Sequence, residues 1–292
     1  MSASILLSSL KFETALAQDQ MLRRAIPSSG ELLPIIGLGT SRVFDVDPQD
    51  KDKLRIRKEI IESLINKGGS LIDTSPMYGR SEEVIGYIYG NHPRREDIFL
   101  ATKVWTKGKS EGERQISESF KKMNASKIEL IQIHNLVDWK TQIKTLRKMK
   151  ETGEISYIGI THYKSSSFKE MEDIIKKEPI DFAQFNYSLG EREAENRLLP
   201  LCADQGVATI INRPFMRGKL FNSVRGKTLP SWCNDYDIGS WGQFFLKYII
   251  ANPAVTNIIP ATSKVKNMLD NSLAGVGQIP DSILQKRMLE IL

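Results

Sequence analysis

Four side chains able to hold or pass a proton fall at or just beyond the ends of short apolar runs. Asp73 and Tyr78 lie in Ile72-Asp73-Thr74-Ser75-Pro76-Met77-Tyr78-Gly79, Lys103 closes Ala101-Thr102-Lys103, and His134 closes Ile131-Gln132-Ile133-His134. A phenol titrates at about 10 in water and is a poor acid at neutral pH, but a neighbouring ammonium stabilises the phenolate and lowers that value. Lys103 is the cation that could do this for Tyr78, and Asp73 is the carboxylate that could fix and neutralise Lys103. His134 could donate a hydrogen bond to a substrate oxygen and share in proton movement. An acid beside such a pocket suits carbonyl reduction, in which a proton reaches oxygen while hydride reaches carbon. No side chain supplies hydride, so this chemistry calls for a cofactor.

These residues can meet only if the runs that carry them are neighbouring strands. From residue 37 onward, strand-like runs over 70–74, 98–104, 128–134, 157–161, 182–187, 207–212 and 257–260 alternate with helical patterns. The helices are expected over 50–66, 81–89, 111–123, 139–151, 168–177, 191–204, 240–251 and 265–273, with a long loop over 217–239. Gly68-Gly69, Gly90, Gly153, Gly206 and Asn252-Pro253 stand where helices should stop. Strand onsets recur about every 30 residues, as the eight units of one closed barrel do. The fold class is therefore α/β, a (β/α)8 TIM barrel, preceded by a β-hairpin in which 22–27 and 32–37 flank the turn Ser28-Ser29-Gly30-Glu31. In such a barrel the carboxyl ends of the strands form one mouth, and a strand spacing of about 4.8 Å lets side chains from neighbouring ends touch. A doubly wound dinucleotide fold competes through Gly37-Leu38-Gly39, but Arg42 occupies the place of its third glycine and no helix opens there.

At 292 residues and 40% hydrophobic, the chain can bury one sizeable core. One domain is expected over 26–292, after a flexible leader over 1–25. Ile5-Leu6-Leu7 and Ala15-Leu16-Ala17-Gln18 faintly resemble an export signal, yet no positive region precedes them and Lys11 and Glu13 interrupt them. A cytoplasmic location is the expectation, with the periplasm the alternative. No apolar run approaches the roughly 18 to 20 residues that cross a bilayer, so no membrane association is expected. The net charge of +6 is spread among acidic neighbours, and the dense clusters over 51–58 and 140–150 read as solvated helix faces, which argues against a nucleic-acid partner. Cys202 and Cys233 have neither disulfide-framework nor metal-ligand spacing, and no metal site is expected.

The motifs together resemble the aldo-keto reductase family over about residues 33–271. They are Gly37-Leu38-Gly39-Thr40, Asp73 to Gly79 with Ser81-Glu82-Glu83, Ala101-Thr102-Lys103, His134, Gly159-Ile160-Thr161, Gln184-Phe185-Asn186-Tyr187-Ser188 and Ile259-Pro260-Ala261-Thr262-Ser263-Lys264. The resemblance implies that Tyr78 is the proton donor, that Lys103 and Asp73 tune it, that His134 orients the carbonyl, and that the cofactor is NADPH, with NADH possible. Asp73, Gly39 and Thr40 would border the cofactor. Thr161, His162 (where the family has Asn) and Gln184 would hold its carboxamide. Asn212, Arg213, Pro214 and Phe215 occupy the segment that often brings a stacking tyrosine, and Gly218 and Leu220 match the loop over the pyrophosphate. Thr262, Ser263 and Lys264 would take a 2′-phosphate through hydroxyls, a cation and helix N-terminal amides, with Asp270 and Asn271 at the adenine.

Trp105, Phe44, Met77, Trp139 and Phe215 are expected to face the mouth and make a partly aromatic pocket for small carbonyl substrates. A monomer is favoured. The alternative reading is a nicotinamide-nucleotide-binding sensor or scaffold with little or no turnover, motivated by the missing tyrosine and the basic surface.

Overall fold

Strands alternate with helices along the computed structural model, which describes residues 20–292. The hairpin comes first: β1 (Arg23–Ala25) pairs antiparallel with β2 (Leu32–Pro34). It lies within the spans 22–27 and 32–37 expected for it, and residues 1–19 of the expected leader lie outside the described residues. Eight parallel strands follow in sequence order: β3 (Leu38–Gly39), β4 (Leu71–Asp73), β5 (Phe99–Val104), β6 (Ile128–His134), β7 (Ile155–Thr161), β8 (Phe182–Asn186), β9 (Ala208–Asn212) and β10 (Asn257–Ile258). Parallel bridges Ile36 to Ile258 and Gly39 to Ala261 join the last strand to the first and close the barrel, which excludes the open doubly wound sheet.

Side chains alternate across each strand, so one row faces the barrel interior and the other faces the helices. The inner rows run from apolar to polar toward the carboxyl end. They read Leu71 then Asp73; Phe99, Ala101 then Lys103; Leu130, Gln132 then His134; Phe182, Gln184 then Asn186; and Ala208, Ile210 then Asn212. The apolar members form one cluster, and Ile26 and Leu33 of the hairpin join it from below. The hairpin thus stoppers the end of the barrel opposite the polar residues. The outer rows, including Ile72, Leu100, Ile131, Ile158, Phe185 and Ile211, pack with the helices in the larger core.

Most helices match their expected spans, but the one expected over 191–204 begins only at Leu198 and is preceded by a 3-10 turn at Glu193–Glu195. Pro200 is the physical reason: it has no N–H and is tolerated only in a first turn. The Glu195 carboxylate also accepts from the buried Tyr187 hydroxyl at 2.6 Å and from Tyr248 at 2.7 Å, which pins the turn. The loop over 217–239 contains a short helix, Lys219–Ser223, and a 3-10 segment, Ser231–Tyr236. A further helix, Ser282–Leu289, is capped by Asp281, whose carboxylate accepts from the amides of Ile283 and Leu284. Among the described residues no helix is long and apolar enough to cross a membrane.

Candidate active site

Parallel register sets the polar ends level with one another. Lys103 stands opposite Gln132, and His134 opposite Thr161, which in turn faces Gln184. Asp73, two residues beyond Leu71 on β4, therefore meets Lys103 inside the barrel: Lys103 Nζ donates to both carboxylate oxygens at 2.7 Å and to the Thr74 carbonyl at 2.7 Å. Both side chains are essentially removed from solvent. A buried ion pair survives only if its remaining hydrogen-bonding capacity is met. Here Asp73 Oδ1 also accepts from Gln132 Nε2 at 3.1 Å and from Gln184 Nε2 at 2.9 Å, and Thr161 donates to Gln184 Oε1 at 2.9 Å.

Tyr78 hangs over this pair from the loop after β4, with Lys103 Nζ 5.0 Å from its ring centroid. His134 meets the same ring edge-on at 5.9 Å. The four candidate proton-handling residues thus converge at one mouth. Burial pushes the Tyr78 phenol above its ordinary value, and the Lys103 charge opposes this without reversing it. The expectation of a lowered value is thereby corrected, because desolvation of the phenolate outweighs the ammonium. For Lys103, burial disfavours the cation, but Asp73 and then Tyr78 more than compensate, so it is raised and stays charged. Burial, assisted by Lys103 and His162, pushes the His134 imidazolium down to about 3, so this ring is neutral. Ser75 Oγ lies 3.1 Å from His134 Nδ1. If the hydroxyl donates there, the neutral ring carries its proton on Nε2 and can offer it to a ligand.

Beside this cluster opens a cavity of about 570 Å³ bordered by Arg42, Arg213, Arg217, Thr262 and Asn271, with Pro214, Phe215, Gly218 and Asp270 also in its wall. A volume of this order suits a cofactor-sized ligand. Three arginines face one carboxylate, and that carboxylate is already engaged: Asp270 accepts from Ser240 Oγ and Gln243 Nε2, each at 2.7 Å. Asn212 Oδ1 and Asn186 Oδ1, at the ends of β9 and β8, are buried without a partner. Cations in excess and orphaned amide oxygens at the mouth fit an anionic ligand carrying its own donors, as a nicotinamide dinucleotide does.

Other expected cofactor residues have different surroundings. Gly39 sits at the barrel seam, where a Cβ would come within 2.8 Å of the Ile259 carbonyl oxygen, and Thr40 donates from Oγ1 to the Asp73 carbonyl at 2.9 Å. His162 spends both ring nitrogens on its own loop: Nδ1 accepts from the Lys164 amide and Nε2 lies 3.2 Å from Ser167 Oγ. Leu220 is buried beneath the loop, while Ser263 and Lys264 are exposed at the start of helix Val265–Leu273. Among the expected aromatic pocket residues, Trp105 is 43% exposed with its ring 6.4 Å from His134, and Met77 is 41% exposed. Phe44 is a correction: it is wholly buried in the core under the Arg57 guanidinium.

Sequence reasoning missed Gln132 and Ser75, both in contact with the cluster. Gln132 lies two residues before His134 and so shares its face of the strand, a signal that was available. The phosphate-compatible arginines Arg42 and Arg217 carried no local signal, because they come from separate loops.

A family model described as the aldo/keto reductase family matches residues 35–285. Aldo-keto reductase YhdN of Bacillus subtilis (strain 168) is 28% identical over 200 residues, covering 63% of this chain and 59% of its own length, so that match spans less than two thirds of YhdN. Methylglyoxal reductase YeaE of Escherichia coli (strain K12) is 25% identical over 279 residues, covering 92% of this chain and 95% of YeaE. Among solved structures, an aldo-keto reductase from Klebsiella pneumoniae in complex with NADPH aligns with a TM-score of 0.75 at 20% identity, covering 93% of this chain and 95% of that one, a likeness of fold.

Proposed function

This chain belongs to the aldo/keto reductase family, and from that premise we propose that it reduces aldehydes or ketones to alcohols with NADPH, with Tyr78 as the proton donor. The observation that carries the proposal is the buried Lys103–Asp73 pair beneath Tyr78, with neutral His134 at its side. The cofactor supplies hydride to the carbonyl carbon when bound. Everything else falls to the chain. His134, uncharged, donates to the carbonyl oxygen and holds it beside the phenol without competing as an acid. Tyr78 retains its proton until negative charge develops on that oxygen, then transfers it from Oη. Lys103, fixed by Asp73, stabilises the phenolate so formed, and Gln132 and Gln184 hold Asp73 in place.

Arg42 and Arg217 would meet the cofactor phosphates, with Ser263, Lys264 and the N-terminal amides of helix Val265–Leu273 at the 2′-phosphate. Asn271 would meet the adenine, while Asp270, whose two oxygens are engaged, would act by anchoring that helix.

The test is NADPH oxidation with 4-nitrobenzaldehyde, run beside NADH, for the wild type and for Tyr78→Phe. The variant should bind NADPH normally by fluorescence and lose kcat by about 10²- to 10⁴-fold, the range a positioned general acid contributes. Undiminished turnover in the variant would remove Tyr78 from the mechanism.

A further inference from the structure

Arg213 lines the dinucleotide-sized cavity, and its charge is felt at Tyr78. It follows directly after β9, and its guanidinium carbon sits 4.1 Å from the ring centroid of Tyr163, on the loop after β7. It thus crosses the mouth above β8, which lies between those two strands. The side chain is half-buried and, among the described residues, forms no salt bridge. Burial disfavours its cation most, Arg217 and Arg42 add like charge, and Glu191 is close enough for its charge to be felt but not to pair. Its backbone is held at φ 52°, and Met216 and Arg217 follow at φ 50° and 56°, in a region that non-glycine residues seldom occupy. A strained, partly desolvated guanidinium with no anion beside it is a site awaiting one.

We propose that Arg213 binds a carboxylate carried by the carbonyl substrate, so that the preferred substrates are aldehydes or ketones that are also organic anions. This rests on the reductase reading above. Arg42 and Arg217, both exposed in the cavity, are left for the cofactor phosphates, whereas Arg213 reaches across to Tyr163, two residues along the chain from Thr161, which ends β7 opposite His134. Exposed Trp105, beside His134, supplies an apolar wall suited to an aryl or alkyl body between the two polar ends of such a substrate. Lys164, whose ammonium lies 5.7 Å from the Tyr163 ring, adds a second positive charge near that ring.

The experiment compares 4-carboxybenzaldehyde with 4-nitrobenzaldehyde, which are of similar size and differ in charge, in the wild type, Arg213→Gln and Arg213→Lys. The ratio of kcat/KM for the carboxylated over the nitro substrate should fall about tenfold or more in Arg213→Gln, the loss expected for one charge-assisted contact, and recover in part in Arg213→Lys. An unchanged ratio overturns the proposal. Equal loss for both aldehydes with weakened NADPH binding also overturns it, by assigning Arg213 to the cofactor. Benzoate, which has the anion and no carbonyl, gives a readout independent of turnover. By calorimetry on NADP-saturated protein it should bind the glutamine variant at least tenfold more weakly, and equal binding rejects the proposal. Discrimination of benzoate without turnover of either aldehyde would instead defeat the reductase reading and leave the anion site standing.

Discussion

Burial of Tyr78 outweighs the ammonium beneath it and holds the phenol above its ordinary value, so the ammonium does not ionise the donor that reduction requires to be protonated. His134, held down to about 3, contributes no ionisation near its ordinary range of about 6.5. The pH dependence follows with a definite sign. With NADPH saturating, kcat/KM for reduction should stay flat between about pH 6 and 9, whereas alcohol oxidation, which needs the phenolate as base, should rise with pH. A limb near neutrality in the reductive profile would assign the essential proton to some other group. The residues themselves were legible because Asp73, Lys103 and His134 each end or nearly end a strand within an apolar run, and Tyr78 follows on the loop after the first of them. The direction of the Tyr78 shift was not, since sequence spacing shows a cation nearby but not how deeply the phenol is buried, and the two effects oppose each other.

At the level of elements, one repeated pattern positions the site: inner rows that begin with Leu71, Phe99, Leu130, Phe182 or Ala208 and end with an amide, acid, amine or imidazole. Strand and helix order could be read from alternating periods, but the start of the Leu198–Asp204 helix could not, because Pro200 and the Tyr187–Glu195–Tyr248 contact act against local propensity. The Ser282–Leu289 helix lay beyond the last recognised motif, although Pro280-Asp281 was a start signal in plain view. The seam at β3 gives a prediction at this scale. A Cβ at Gly39 would lie 2.8 Å from the backbone oxygen of Ile259, which cannot swing aside as a side chain tip can. Gly39→Ala should cost about 1–3 kcal/mol, seen as a lower urea midpoint with an unchanged slope. A midpoint equal to wild type would mean that the seam has slack.

Across the whole molecule, stability carries the cost of a second buried amine. Lys247 is fully buried, donating to the carbonyls of Val276 and Gln278 at 2.9 and 2.7 Å, and burial lowers it from 10.5 to about 8. Between those values the unfolded chain holds a proton that the folded protein has released, so this group makes stability rise with pH through that window; below about 8 both states hold it and the burial cost stays in full. Urea unfolding at pH 7.5 and pH 10 should show a wild-type gain, relative to Lys247→Met, of about 2–3 kcal/mol at most. Parallel behaviour of the two proteins would show that the amine is better solvated than its position implies. Membership of the family, the barrel itself and Arg213 were legible in the motifs; the other two cations that line the cavity were not, because Arg42 and Arg217 reach it from loops that sequence cannot fold.

The pairing of Ile36 with Ile258 and of Gly39 with Ala261 joins the earliest strand of the barrel to its latest. A ribosome delivers these partners far apart in time, so the nascent polypeptide must wait as an unclosed curl with a bare edge until β10 emerges. The ring therefore cannot close until β10 has been made, and until then the first strand's outer edge has no partner from the last.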